Sequence, residues 1–297
     1  MQRFLKTMLS TAAVACLLSG CSSATPEKAA GSGEGEWLQL FNGTDLKGWD
    51  VYLGPKVDDK LQKLPGTATG LNNDPDKVFS VAQEDGGPTI RISGVIGGGI
   101  STVESFENYH LRLEMKWGAG NPWKRERADS GVLYHAGGEH GVDGDYWMRS
   151  FEYQVMPDSY GDLITIMGCV ADVPTVAREG GGRPLYDPKG TRQTYSRVAE
   201  VTPNGGGVSR LPSVKDPASG WLTLEIYTVG STAVHVVNGQ VVLVAYNTRL
   251  HENGSARPLT SGKIQIQSEG SEVFYRNLAL QRITAFPEGL LLSLIHI

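Results

Sequence analysis

The feature that most constrains the fold is an alternation of β-branched, aliphatic or aromatic residues with polar ones, which recurs along the chain without settling into a helical period. It runs through residues 89–93, 109–117, 131–134, 150–156, 222–229, 233–237, 240–244 and 263–268. A period of two sends successive side chains to opposite faces of a strand. In 109–117, Leu111, Leu113, Met115 and Trp117 fall on one face and His110, Arg112, Glu114 and Lys116 on the other, so one face is expected to pack and the other to be free for a ligand. Asn238-Gly239 stands between two such runs, the strongest short signal for a hairpin of antiparallel strands. Glycine supplies 38 of the 297 residues and is scattered between the runs with no fixed repeat, which marks many turns and argues against a solenoid. Residues 167–220 are Gly/Pro-rich and weakly patterned; a loop of that length is usually functional, and it is expected at the rim of a cleft.

The two ends read differently from the middle. Positive charge in residues 1–6 precedes an apolar run, 8–18, too short to span a bilayer, and the run ends in Leu18-Ser19-Gly20-Cys21. This is the layout of a lipoprotein signal peptide over 1–20, cut so that Cys21 becomes an acylated N-terminus. Residues 21–36 are small and polar and are expected to be a flexible tether. One folded domain is expected over 37–284, a length that a single β-sandwich fills. Residues 285–297 are a tail in which 292–297 reads like translated adapter DNA, so part of it is expected to be artefactual. The expected location is the bacterial cell envelope, held to the membrane by the N-terminal lipid, on the periplasmic face.

A formal net charge of −5 without a Lys/Arg run gives nucleic acid no electrostatic grip. Of three cysteines, Cys16 leaves with the signal and Cys21 takes lipid, which leaves Cys169 as buried packing with no partner for a disulfide or a paired-cysteine metal site. Gly97-Gly98-Gly99 is followed by no helix signal, so it is not a phosphate loop.

Four blocks resemble a known family. The first is Leu40-Phe41-Asn42-Gly43-Thr44-Asp45-Leu46-Lys47-Gly48-Trp49. The second runs from Asp129-Ser130-Gly131-Val132-Leu133-Tyr134-His135 through Gly138-Glu139-His140-Gly141 to Trp147-Met148-Arg149-Ser150-Phe151-Glu152-Tyr153-Gln154-Val155 and Gly161-Asp162. The third is Trp221-Leu222-Thr223-Leu224-Glu225 with His235 and Asn238-Gly239, and the fourth is Gly262 to Gly270 with Phe274-Tyr275-Arg276-Asn277. Together they are similar to the 3-keto-disaccharide hydrolase family, long catalogued as a domain of unknown function. The resemblance implies an all-β, concanavalin A-like jelly-roll sandwich of two antiparallel sheets with a concave ligand face. It also implies cleavage of 3-keto-disaccharides or 3-keto-glycosides. The chain departs from the family at Met156-Pro157-Asp158-Ser159-Tyr160, where an acidic residue is expected soon after the Gln-containing strand, and the stretch after Gly168 does not align.

Such a substrate sets the chemistry to look for. A ketone at C3 acidifies the hydrogen on C2, so one base can remove it, the enolate expels the C1 substituent, and water adds back; the site needs a base, a holder for the enolate oxygen and an acid. Alternation puts Ser150, Glu152 and Gln154 on one face. Glu152 is the expected base or metal ligand, and Gln154 binds a hydroxyl or the same metal. His135 and His140 are candidates for the acid or for imidazole ligands. The use of a divalent metal stays open, with His135 and Glu152 as its candidate ligands. Arg149 and Lys116 are candidates for holding the enolate or sugar hydroxyls, Asp162, Gln267 and Glu269 for lining the cleft, and Trp147 and Trp123 for stacking on a sugar ring. Two rivals remain: a carbohydrate-binding lectin-like module, which needs no base, and a conventional glycosidase, which needs a pair of carboxylates.

Overall fold

The computed structural model describes residues 35–211 and 220–290. The signal segment, Cys21 and residues 291–297 lie outside the described residues. Within them every regular element is a β-strand, and the strands form two antiparallel sheets. Nine strands make one sheet. Its path is Gly207–Val208, Leu163–Thr165, Arg149–Val155, Ser130–Gly137, Ser261–Ser268, Gly98–Thr102, Trp49–Leu53 and Gly70–Leu71, with Phe106–Glu107 paired beside it. Twelve strands make the other, around the path Leu185–Tyr186, Cys169–Val176, Gln240–Glu252, Thr232–Val237, Leu222–Val229, Tyr109–Trp117, Val273–Arg282, Gly87–Ile92 and Phe79–Glu84. In each sheet several neighbours are far apart in sequence, and the chain crosses repeatedly between sheets, which is the jelly-roll arrangement of a concanavalin A-like sandwich.

The alternation explains the stacking. Val132, Tyr134, Phe151, Tyr153, Ile264 and Ile266 of the nine-stranded sheet meet Leu111, Leu113, Met115, Leu224, Ile226 and Val234 of the other in one core. Each such side chain, fully buried, stabilises by roughly 1.5–3 kcal/mol before entropy is counted. Some polar groups inside this core are paired across it. Tyr153 donates its hydroxyl to the Val236 carbonyl at 2.9 Å, and the His235 ring lies 2.9 Å from the Gly161 carbonyl and 3.1 Å from the Tyr134 hydroxyl.

The expected hairpin is present, with φ of 47° at Asn238 and 77° at Gly239, the two positive values a type I′ turn demands. Cys169 is buried. Three expectations need correction. Among the described residues of 167–220 there are four strands, Cys169–Val176, Leu185–Tyr186, Thr191–Tyr195 and Gly207–Val208. Pro174 and Asp172 interrupt the β pattern of the first, a composition that edge pairing with Thr191–Tyr195 tolerates. Only the Gly/Pro-rich stretches between these strands remain loops, and they reach a cleft, as described below. Second, the polar face of Tyr109–Trp117 is laced by ion pairs: Lys116 Nζ lies 2.6 Å from Glu84 and 2.9 Å from Asp85, and Arg276 Nε 2.8 Å from Glu114. Third, the fold continues past residue 284, since Phe286 and Leu290 pack against the core.

Candidate active site

Cross-strand register aligns the outward-facing side chains of the nine-stranded sheet into rows. Asp50, Ser101, Gln265, Leu133, Glu152 and Ile164 stand side by side across six strands. In the next row Gln267 faces Gly99 and Gln154 faces Gly131. A cavity of about 470 Å³ opens over one end of these rows, with Glu152, Gln154, Gln267, Glu269, Asp129 and Trp147 in its lining, a volume in the range of small-molecule sites.

Gly131 makes this floor possible. A Cβ there would lie 2.4 Å from Gln267 Oε1 and 2.6 Å from Glu152 Oε1, so both oxygens occupy the space a side chain would fill. Gln267 is 1% exposed and its Oε1 has no hydrogen-bond partner, which leaves a buried polar atom turned toward the cavity for a ligand to satisfy. Trp147 lies against Leu133, Ile164 and Ile166, and its indole N–H donates to the Gly98 carbonyl at 3.1 Å.

The carboxylates are unequal. Asp129 accepts from Arg125 at 2.5 Å and from Gln154 Nε2 at 2.8 Å, yet burial still pushes its pKa to about 6. Glu269 receives the same guanidinium at 3.1 Å; burial, and then the Asp129 charge, push it to about 8. Glu152 is 5% exposed. Burial first, then Glu269 and Asp129, raise its carboxyl well above the usual range, while Arg197 and Arg183 oppose this only weakly. Like charges in one dry site cannot all ionise, so such carboxyls titrate as a group. Arg183 and Arg197 form a basic wall of the same cavity.

Of the residues singled out from sequence, Glu152, Gln154, Trp147, Gln267 and Glu269 converge on this cavity, and His135, His140, Arg149 and Lys116 do not. At His135 the register slips, so that His135 and Ala136 oppose the single residue Ser150. With φ at 50°, this β-bulge turns the imidazole inward, where its ring lies 5.4 Å from Tyr134, 6.0 Å from Tyr109 and 6.5 Å from Phe151. Burial lowers its pKa to about 4. His135 and Glu152 therefore sit on opposite faces of one sheet and cannot share an ion. Among the described residues no three His, Cys, Asp or Glu side chains assemble as a metal site. His140 stacks on Tyr52 at 5.5 Å, further along the sheet. Arg149 reaches Glu252 at 3.5 Å, and Lys116 belongs to the opposite sheet. Asp162 stands behind the wall, accepting the Arg210 N–H at 2.8 Å, with Arg183 at 3.9 Å. The Trp123 ring lies over Gly270.

Asp129, Arg125, Arg183 and Arg197 escaped the sequence reading. Asp129 opens the most distinctive block, a signal that was present. Arg183 and Arg197 lie in the stretch that resisted alignment, and nothing local marks them.

A jelly-roll sandwich with a polar cleft of carboxyls, amides, arginines and one tryptophan on a sheet face defines a carbohydrate-active domain of hydrolase- or lyase-like type. The chain belongs to the family of the 3-keto-alpha-glucoside-1,2-lyase-like domain, whose family model matches residues 36–281. No curated protein matches it significantly. Similar solved structures include a candidate glycosyl hydrolase of Parabacteroides distasonis, with 21% identity, 83% of this chain and 94% of that chain covered and a TM-score of 0.45. Another candidate glycosyl hydrolase from that organism has 18% identity, coverage of 84% and 100% and a TM-score of 0.44. The β-glucanase of Bacillus licheniformis has 12% identity, coverage of 85% and 99% and a TM-score of 0.39.

Proposed function

We propose that this protein cleaves 3-keto-glycosides, 3-keto-disaccharides among them, by removing the C2 proton, eliminating the C1 substituent and rehydrating the product. The observation that carries this reading is the placement of Glu152. It is a buried carboxyl on the floor of a sugar-sized cavity, next to an amide oxygen without a partner, and two further carboxyls raise its proton affinity. Burial makes a carboxylate a stronger base, which removal of a proton beside a carbonyl requires. In the proposed cycle Glu152 and Glu269 hold one proton between them. Ionised Glu152 takes the C2 proton, the C2–H electrons form the enolate, and the C1–O bond breaks as Glu269 protonates the departing oxygen. Water then adds at C1 and gives its proton to Glu269, and the proton on Glu152 returns to C2. Arg183 and Arg197 stabilise the enolate oxygen, Gln154 and Gln267 bind hydroxyls, and Trp147 offers its ring face to the sugar. Asp129, clamped by Arg125, stays ionised and keeps the Glu152 proton affinity high.

The test is an assay of the full chain on 3-keto-trehalose or a 3-keto-glucoside beside the parent sugar. Release of 3-keto-glucose from the oxidised substrate alone is expected. Cleavage of the unoxidised sugar would make the protein a conventional glycosidase, and binding without turnover of either would make it a lectin. We also propose that the domain is tethered at the periplasmic face of the bacterial envelope through lipid on Cys21. Mass spectrometry of the N-terminal peptide from membranes checks this, with an unmodified Cys21 as the contrary result.

A further inference from the structure

We propose that the cleft has a second compartment that holds the leaving half of the substrate and selects one bearing a carboxylate or a phosphate. That its occupant is a leaving group rests on the function proposed above, whereas its preference for anions does not. A second cavity, of about 340 Å³, adjoins the first, and the two share Ile164, Arg183 and Arg197 as a common wall. Beyond that wall the lining is Gly182, Pro184, Asn204 and residues 205–207, all glycine. Among the described residues no acidic and no aromatic side chain lines it. The carboxyls all lie on the first cavity's side: Asp129, Asp143, Glu152 and Glu269. Charge is thus divided along the cleft, with acid over the sheet floor and base at the far end.

The glycines bring the arginines in. A Cβ on Gly207 would lie 2.7 Å from Arg183 Nε, and one on Gly206 would lie 2.5 Å from Arg197 Cγ. Both side chains therefore lie against bare backbone at the junction of the two cavities. Neither guanidinium is used up: Arg183 stands 3.9 Å from the Asp162 carboxylate, beyond hydrogen-bond reach, and Arg197 meets Asp143 through one nitrogen at 3.3 Å. A guanidinium carries five donors in a fork that matches a carboxylate or phosphate. An aryl leaving group finds no stacking partner here, whereas an oxygen-rich anion finds two cations and consecutive backbone groups.

Both arginine side chains are about half exposed, so the preference should be moderate and salt-sensitive. The experiment is calorimetric titration of the full chain with gluconate, glucose 6-phosphate and glucose at low ionic strength, repeated with Arg183→Met and Arg183→Lys. Both anions, or one of them, should bind about tenfold more tightly than glucose. The difference should vanish in Arg183→Met, survive in part in Arg183→Lys, and shrink at about 0.5 M salt in the wild type. Equal binding of all three, or a preference that Arg183→Met or salt leaves intact, overturns the proposal. A paired assay separates this from the reaction itself: kcat/KM for a 3-keto-glucosyl-gluconate should exceed that of the matching glucose derivative by about tenfold. If neither is cleaved while anion binding holds, the reaction fails and the compartment stands.

Discussion

At the scale of single residues, the account turns on where Glu152 and His135 point. Glu152→Gln keeps the shape and removes the proton carrier. Turnover of a 3-keto-glucoside should drop by a factor of at least about 10³, and near-normal turnover would take residue 152 out of the mechanism. The same change should stabilise the fold. A carboxyl whose folded pKa is raised contributes stability below its unfolded pKa and loses it as pH rises through the folded value. The Gln variant should therefore melt higher than wild type at pH 8, and the gap should close toward pH 4. His135→Asn, which tolerates positive φ, should fold with a lower melting temperature and retain kcat. Loss of kcat in a folded His135→Asn protein would show that the bulged histidine does more than pack. With Glu152 as base and Glu269 as acid, kcat/KM should be bell-shaped, rising at a pH above the ordinary carboxylate range and falling near 8, the value toward which Glu269 is pushed.

At the scale of elements, the strands were the legible part. Tyr109–Trp117 and Leu222–Val229 have the ends that period-two patterning indicates, because hydrophobic burial on one face dictates that pattern directly. The pairing of Glu152 with Gln154 on one strand face was legible for the same reason. The bulge at His135 was not: it inserts one residue into the alternation, and only cross-strand register reveals which way the imidazole turns. Lys116 was misplaced because alternation names two faces of a strand without saying which sheet the strand joins. Arg183 and Arg197 depend on contacts between loops and a sheet distant in sequence, which no local pattern encodes. Gly131 belongs to this scale as well. Gly131→Ala would put a methyl where two oxygens of the floor sit, so it should cut kcat/KM by more than about tenfold while circular dichroism retains the β signature. Unchanged kinetics would mean that the floor is softer than its geometry implies.

At the scale of the whole molecule, the sandwich carries two opposed sets of buried titratable groups. Burial lowers His135 and His235 to about 4. Their contribution is therefore complete above the unfolded value near 6.5 and is lost as pH falls through 4. Burial raises Asp129 and Asp162 to about 6 and Glu269 to about 8, and their contribution is lost as pH rises through those values. The two sets oppose each other between pH 4 and 6.5, and above that only the carboxyl loss remains, so the melting temperature should fall from about pH 6.5 to pH 8, which a thermal scan across pH 4–9 checks. The alkaline decline is the cost of holding several carboxyls in one dry cleft, as function at a strained site commonly requires.

The most direct test of that cleft is to follow the fate of the hydrogen it is proposed to take. A 3-keto-glucoside deuterated at C2 is cleaved in ordinary water by the full chain, and the released 3-keto-glucose is weighed by mass spectrometry against a blank for spontaneous exchange. A primary isotope effect on kcat/KM, with part of the deuterium lost to water by exchange on Glu152 before it returns to C2, is the expected result. Product that keeps its deuterium, released at the same rate as from the unlabelled substrate, would contradict proton removal at C2 and leave direct hydrolysis in its place.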